Sequence, residues 1–145
     1  MIRAAAFQTR QCFVDTSAHF AVISPEDTNH HSARRISLWL MENRWRLITT
    51  NFIVAETHAL TLTRLGRTVA LRVLRQFDEN PASIIRVTLS DERRARAIIE
   101  EFDDKNFSYT DATSFAVMDR LGVTHAFHFD RNFTQYGFID LARQL

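Results

Sequence analysis

Short apolar runs alternate along the chain with longer segments of helical periodicity. The apolar runs predict four strands, at Gln11–Val14, Leu47–Thr50, Ile84–Val87 and His125–Phe129. Apolar residues three and four positions apart predict helices over Ser17–Ile23, Thr28–Asn43, Phe52–Leu65, Thr68–Phe77 and Ser90–Phe102, a further one from Ser108 or Thr110 to Gly122, and a short one over Arg131–Tyr136. Continuous apolar strands alternating with helices are typical of parallel sheets. We therefore predict an α/β fold, with a central parallel sheet of about four to five strands covered by helices on both faces.

Polar residues at the element boundaries predict where several helices begin and end. Asn51 is a plausible cap for the third helix, which Gly66 closes, and Ser90 opens the fifth. Ser108 and Thr110 are candidate caps for the helix that follows.

Composition indicates one compact domain. The chain has 145 residues, is 46% hydrophobic, and contains only three glycines and two prolines, so it has little material for linkers. We expect a single domain over residues 1–145 with a folded core at about 11–140. Cys12 is the only cysteine, which excludes an intramolecular disulfide and favours a reducing, cytoplasmic setting.

The N-terminal residues and the net charge bear on export, membrane association and nucleic-acid binding. Polar residues interrupt Met1–Arg10 too early for a signal sequence, and no apolar run approaches membrane-spanning length. We therefore expect a soluble protein that does not associate with membranes. A net charge of +1 gives no overall attraction to nucleic acid.

Four acids are predicted to converge at one edge of the sheet. Asp15 and Asp130 are the first acids after a strand, and ligands of open parallel sheets bind outside the carboxyl ends of the strands. Glu56 lies one turn into the helix after the second strand, and Asp111 lies in the first turn of the helix before the fourth. An alternative role for Asp111 is helix capping alone, because an acid in a first turn complements the helix dipole.

Convergent carboxylates repel one another, and the usual remedy is a hard divalent cation. Mg²⁺ is the first expectation and Mn²⁺ the second, because the set contains oxygen ligands only. Such a site favours phosphoryl or phosphodiester chemistry. The hydroxyls of Thr16, Ser108 and Thr110 stand beside these acids in the sequence and could orient bound waters.

Four segments together resemble the PIN-domain nucleases, most closely the small VapC-type ribonuclease toxins of bacterial type II toxin–antitoxin systems. The segments are Phe13–Ser17, Ala55–Glu56, Phe107–Phe115 and Phe127–Phe133, and the resemblance extends from about Phe13 to Phe138. It includes the order and spacing of all four acids. One departure is a leader of about a dozen residues before the first strand.

The resemblance implies the site residues and a metal-dependent reaction. Asp15, Glu56, Asp111 and Asp130 would be the site acids, and Thr110 the hydroxyl residue that precedes the third of them. We expect the first and third acids to bind the metal directly, and the other two to bind it through water or a second ion. In-line attack on phosphorus would leave a 5′-phosphate and a 3′-hydroxyl. Arg131 is either a phosphate clamp or a surface partner of Asp130.

The resemblance also implies partners. It indicates a magnesium-dependent endoribonuclease that forms a homodimer and is inhibited by a cognate antitoxin, whose C-terminal segment lies across the active-site groove. Two other functions remain open. One is a non-toxin PIN-fold module for RNA processing or RNA binding; the other is a metal-dependent phosphatase or signalling domain, although the Asp-x-Asp-x-Thr signature is absent at Asp15.

One predicted helix carries more apolar side chains than the core needs, and this predicts where the antitoxin would bind. The helix over Thr28–Asn43 presents an apolar stripe wider than one core contact needs, comprising Ile36, Leu38, Trp39, Leu40 and Met41. We expect a groove between this helix and the helix over Phe52–Leu65, lined by Trp39 or its neighbours and leading to the acids.

Overall fold

The computed structural model describes residues 10–145, so the leader predicted before the first strand lies outside the described residues except for Arg10. The strands are β1 (Gln11–Val14), β2 (Arg46–Thr50), β3 (Ile84–Ile85), β4 (His125–Phe127) and β5 (Ile139–Asp140). The helices are α1 (Thr16–Ile23), α2 (His30–Glu42), α3 (Asn51–Leu65), α4 (Arg67–Glu79), α5 (Leu89–Glu101), α6 (Tyr109–Leu121) and α7 (Asn132–Tyr136). Short 3₁₀ turns occupy Pro81–Ser83 and Leu141–Gln144.

The five strands form one parallel sheet in the order β3-β2-β1-β4-β5. Phe13 pairs with Ile48 of β2 on one side and with Ala126 of β4 on the other. The chain therefore builds outward from β1 to β3 and then returns to place β4 on the opposite side of β1. This reversal of strand order creates a crevice at the carboxyl ends of β1 and β4, which is where ligands bind in sheets of this kind.

Helices cover both faces of the sheet, as the sequence predicted. Side chains alternate along β1: Phe13 enters the core beneath α5, α6 and α7, whereas Cys12 and Val14 enter the core beneath α1 and α2. All three side chains are buried, and burial raises the pKa of the Cys12 thiol far above its usual range. A strand buried on both faces explains why β1 reads as a continuous apolar run.

Two strands are shorter than predicted because backbone amides at their ends donate to side chains instead of to a neighbouring strand. The predicted strand to Val87 ends at Ile85, since the Val87 amide donates instead to the Asn51 side chain at 2.9 Å. The predicted strand to Phe129 ends at Phe127, and the Phe129 amide donates to the Ser17 hydroxyl at 3.0 Å. Both of these hydrogen bonds lie at the carboxyl edge, where the backbone leaves the sheet.

Two of the predicted helix caps are wrong. Thr50, not Asn51, caps α3: its hydroxyl accepts the Ile53 amide at 3.2 Å, while Asn51 holds the chain after β3. Thr88, not Ser90, caps α5 through a capping box with Asp91. In each case the cap lies one or two residues before the predicted position. The residues after it are already helical.

An ion pair between the buried Asp91 and the exposed Arg120 joins α5 to α6. Asp91 is only 3% exposed and receives two hydrogen bonds of 2.9 Å from the guanidinium of Arg120. Burial raises the pKa of Asp91, but the bonds from Arg120 and Thr88 outweigh it and hold that pKa below its usual value. The pair fixes α6, which carries Asp111, against α5.

Within the residues that the structure describes, no helix combines the length and the apolar character that crossing a bilayer requires.

Replacing Arg120 with Ala should destabilise the fold. The change leaves the buried Asp91 carboxylate with fewer donors, and we expect the free energy of unfolding to fall by about 2 kcal/mol in urea titrations at pH 7. Because the folded pKa of Asp91 is lowered, its contribution is present above the unfolded pKa of about 3.9 and is lost as pH falls through the folded value. The difference between the two proteins should therefore shrink in acid.

The matched control is Arg93→Ala, which removes an exposed arginine from α5, the helix that carries Asp91. It should change the free energy of unfolding by less than about 0.5 kcal/mol. Equal effects of the two substitutions would contradict a specific role for the pair.

Candidate active site

Three carboxylates meet at the crevice where the strand order reverses. Asp15 follows β1, Asp130 lies after β4, and Asp111 occupies the first turn of α6, which runs back toward the start of β4. One carboxylate oxygen from each lies within 4.8 Å of the others. Neighbouring parallel strands deliver two of the acids to the same edge, and the helix that precedes β4 delivers the third.

Asp15 is the most buried of the three, with 3% of its surface exposed. Its Oδ2 accepts the Ser17 hydroxyl at 2.7 Å and the Ser17 amide at 3.2 Å, so it caps α1. The same hydroxyl accepts the Phe129 amide at 3.0 Å. Ser17 therefore ties the end of β1 to the segment after β4 and fixes the position of the acid.

Asp111 is held by two elements. Its Oδ2 accepts the Ser108 amide at 3.0 Å, while the Ser108 hydroxyl accepts the Asp111 amide at 3.0 Å, which forms a capping box. The same Oδ2 also accepts the Asn132 side-chain amide at 2.7 Å. The capping interpretation and the site interpretation of Asp111 are therefore compatible, because capping uses only one of its two oxygens.

Asn132 links two of the acids. Its backbone amide donates to Oδ1 of Asp130 at 2.9 Å, and its side chain donates to Asp111. The backbone oxygen of Asp130 lies 2.7 Å from Nδ1 of the buried His128. One residue at the start of α7 thus sets the separation between Asp111 and Asp130.

The other predicted site residues lie farther from the cluster. Glu56 is exposed on α3 and is not one of the three clustered acids, although it is close enough for its charge to raise the pKa of Asp111. Thr16 is buried beneath the site. The hydrogen bonds that hold the acids come from Ser17, Ser108 and Asn132, and not from the hydroxyls of Thr16 and Thr110. Arg131 is exposed and is absent from the salt bridges of residues 10–145, so the alternative pairing with Asp130 is not seen.

Burial and like charge raise the pKa of two of the acids. Burial is the larger cause at Asp15, followed by the negative charge of Asp130, and together they place the pKa well above its usual range. Burial also raises the pKa of Asp111, with smaller increases from Asp130 and Glu56. Such a raised pKa was expected from carboxylates that share one crevice.

The donor set fits a hard divalent cation. In each clustered acid one oxygen accepts the hydrogen bonds described above: Oδ2 of Asp15, Oδ2 of Asp111 and Oδ1 of Asp130. The other oxygen of each acid is thereby left available for a ligand. Three converging carboxylate oxygens without a clustered histidine or cysteine match the preference of Mg²⁺ or Mn²⁺.

A groove opens from the cluster, but it is not lined by Trp39 as predicted. A cavity of about 290 Å³ begins at Ser17 and Asp130 and passes between α1 and α3; its other lining residues are Phe20, Asp27, Asn29, Leu60, Arg64 and Phe129. Trp39 instead packs against Trp45, with ring centroids 6.1 Å apart. Trp45 directly precedes β2 and contacts His125 at the start of β4, so both tryptophans lie toward the opposite edge of the sheet. The predicted lining by Trp39 was therefore wrong, although residues of both predicted helical segments do line the cavity, Asn29 from the first and Leu60 and Arg64 from the second.

Sequence reasoning missed Ser17 and Asn132 as residues that hold the acids. Ser17 stands two residues after Asp15, a spacing that permits a side chain to accept a nearby amide, and this was a usable signal. Asn132 bears the same relation to Asp130, but its bond to Asp111 spans 21 residues and depends on how α6 and α7 pack.

The fold and site define a protein class. Residues 12–139 match the PIN domain family, and the chain belongs to that family. The structure is also similar to the crystal structure of Mycobacterium tuberculosis VapC20, described as a sarcin-ricin loop cleaving toxin. The TM-score is 0.82 at 30% sequence identity, over 90% of this chain and 98% of the other.

Relatives in sequence are ribonucleases. The chain is 32% identical over 129 residues to the 23S rRNA-specific endonuclease VapC20 of Mycobacterium tuberculosis, covering 89% of this chain and 96% of that protein. It is 33% identical over 113 residues to a VapC ribonuclease of Archaeoglobus fulgidus, covering 74% of this chain and 70% of that protein.

Asp15→Asn should stabilise the metal-free protein at neutral pH. A carboxylate with a raised folded pKa costs stability as pH rises from its unfolded pKa of about 3.9 through its folded value, and the amide removes this cost. In EDTA at pH 7.5 we expect the variant to melt about 2–4 °C above wild type, and the difference to vanish near pH 4.

In magnesium, wild type should instead melt above Asp15→Asn, because the ion stabilises only the protein that can bind it. Asp78→Asn, at an exposed position on α4, is the control and should match wild type in both conditions. If Asp15→Asn melts below wild type in EDTA at pH 7.5, burial and like charge do not make the ionised Asp15 carboxylate destabilising.

Proposed function

We propose that this protein is a magnesium-dependent endoribonuclease and the toxin of a toxin–antitoxin pair. The observation that carries the proposal is the convergence of Asp15, Asp111 and Asp130 within 4.8 Å at the crevice of the sheet. Relatives named as ribonucleases, matched along most of this chain, support RNA as the substrate.

Each site residue would have its own role in phosphodiester hydrolysis. Asp15, Asp111 and Asp130 would hold Mg²⁺, with Mn²⁺ as a substitute. When bound, the ion supplies Lewis-acid polarisation of the phosphate and charge neutralisation. Glu56, whose charge acts on Asp111, would orient the attacking water, and the exposed Arg131 at the start of α7 would contact a phosphate oxygen. Water adds to phosphorus, the bond to the 3′ oxygen breaks with a proton passing to that oxygen, and the products are a 5′-phosphate and a 3′-hydroxyl.

The buried surroundings make the acid cluster dependent on a cation. Asp15 and Asp111 have raised pKa values, so full ionisation of the cluster is unfavourable unless positive charge compensates it. Ser17, Ser108 and Asn132 hold the three carboxylates in place before any ligand arrives. This preorganisation suits an enzyme that must bind a strongly hydrated ion in a defined geometry.

Asp111→Asn should abolish RNA cleavage while the fold is retained. The amide preserves the shape that Ser108 and Asn132 recognise but removes one anionic ligand, so we expect the cleavage rate in magnesium to fall by at least about a hundredfold. The first substrate to test is 23S ribosomal RNA, because VapC20 is named for cleaving it. Expression of wild type, but not of the variant, should arrest growth.

Asp103→Asn, an exposed acid in the loop after α5, serves as the matched control and should cleave at the wild-type rate. Calorimetric titration with Mn²⁺ should show binding to wild type and to Asp103→Asn, but not to Asp111→Asn. Retained cleavage by a folded Asp111→Asn protein would rule out Asp111 as a metal ligand.

We further propose that a cognate antitoxin occupies the groove between α1 and α3. Its apolar lining, Phe20, Leu60 and Phe129, leads to Asp130, so a bound segment could bury apolar side chains and place a cation against the carboxylates. Antitoxin and magnesium would then compete. The homodimer is a proposal that rests on the family resemblance, and light scattering of the purified protein tests it. The cytoplasmic location is a proposal that rests on the single cysteine.

Leu60→Asp should weaken antitoxin binding by at least about tenfold, because it places a charge against the apolar part of the bound segment. Titration of the antitoxin peptide, with and without saturating magnesium, measures both the loss and the competition. Trp39→Ala provides the control, because Trp39 lies away from this groove and the substitution should leave the affinity unchanged. Affinity that depends on Trp39 but not on Leu60, or that ignores magnesium, would contradict the proposed location.

A further inference from the structure

An aromatic pair, the exposed Tyr109 and the partly buried Phe52, lies next to the acid cluster. Tyr109 is the first residue of α6, two residues before Asp111, and Phe52 lies on α3 one turn before Glu56. The ring centroids are 6.0 Å apart, with the planes inclined at 59°. Tyr109 is 37% exposed, a large fraction for an aromatic side chain packed beside a site.

The Tyr109 ring is held in place at both ends. Its hydroxyl donates a hydrogen bond of 2.7 Å to Oε1 of Glu92 on α5, and its ring contacts Phe52 on α3. An anchored ring loses less conformational freedom when it binds a ligand than a mobile one does.

Positive charge stands beside the pair. Arg96 lies one turn beyond Glu92 on α5, close enough for its charge to act on the Tyr109 hydroxyl. The capping of α6 does not use the Tyr109 side chain, because Ser108 and Asp111 perform it. A restrained, exposed ring with a neighbouring arginine has the features by which proteins bind unpaired bases.

We propose that Tyr109 and Phe52 form a stacking platform for an unpaired base of the RNA, next to the phosphate held at the acid cluster, with Arg96 beside a flanking phosphate. The inference rests on the proposed function for the identity of the ligand. It identifies Tyr109 as a substrate-binding residue and predicts single-stranded RNA, or a base displaced from a loop, as the form recognised. The ring face would contribute binding that is independent of the metal and tolerant of base identity.

Binding to three RNA hexamers, made of adenylate, uridylate or abasic nucleotides, tests the platform without cleavage. In EDTA, Tyr109→Ala and Tyr109→Leu should each weaken adenylate binding by about tenfold, whereas Tyr109→Phe, which keeps the ring, should stay within about twofold of wild type. The uridylate hexamer should lose less, because a pyrimidine offers a smaller stacking surface. Affinity for the abasic hexamer should not change.

Leu38→Ala, at an exposed apolar position on α2, is the matched control and should bind every hexamer as wild type does. Melting curves verify that all variants are folded. Equal losses for adenylate and abasic hexamers, or no loss with Tyr109→Ala, would overturn the platform. The Leu variant separates stacking from simple bulk, because it keeps apolar volume without a flat ring.

Cleavage assays then separate this inference from the proposed function. On an RNA that wild type cleaves, Tyr109→Ala should raise KM by about tenfold and leave kcat within about twofold. A lowered kcat with unchanged KM would overturn the platform but not the nuclease. Base-dependent binding through Tyr109 in a protein that cleaves no RNA would support the platform and overturn the proposed function.

Discussion

Mutual repulsion of three carboxylates in a sheltered crevice is the constraint on which the site depends. Their oxygens lie within 4.8 Å of one another, and burial together with like charge raises the pKa of Asp15 and Asp111. The protein holds each acid by one oxygen, through Ser17, Ser108 or Asn132, and leaves the other oxygen available for a ligand. The hydrogen bonds thus oppose a repulsion that a divalent cation would relieve, so stability and the proposed metal binding would be linked.

The surrounding helices serve to keep that arrangement rigid. The Asp91–Arg120 pair fixes α6 against α5, the Ser108–Asp111 capping box fixes the first turn of α6, and Asn132 ties α7 to it. Helix α6 is buried along most of its length, from Ala112 to Met118, so it cannot shift without disturbing the core. Displacement of Asp111 therefore requires several independent interactions to break at once.

Sequence patterns predicted the sheet, the helices on both faces and the convergence of three of the four acids, because hydrophobic period and strand order determine them. What they missed depends on side chains that meet only after folding. Asn51 looked like a cap but bonds to Val87, 36 residues away, and this bond also ends β3 early. Trp39 looked like a groove residue because its helix has a broad apolar stripe, yet its partner is Trp45 after the turn. Periodicity shows that a side chain is apolar, but not which neighbour covers it.

The burial of Cys12 has a practical consequence for studying motion in this protein. The thiol lies at the centre of the sheet with no exposed surface and a strongly raised pKa, so at neutral pH it presents almost no reactive thiolate. Since it is the only cysteine of the chain, thiol-specific dyes should not label the native protein. Cysteines introduced at exposed sites on α2 and α5 could then carry a fluorophore pair, and single-molecule distances would follow the molecule as the proposed RNA substrate or antitoxin binds.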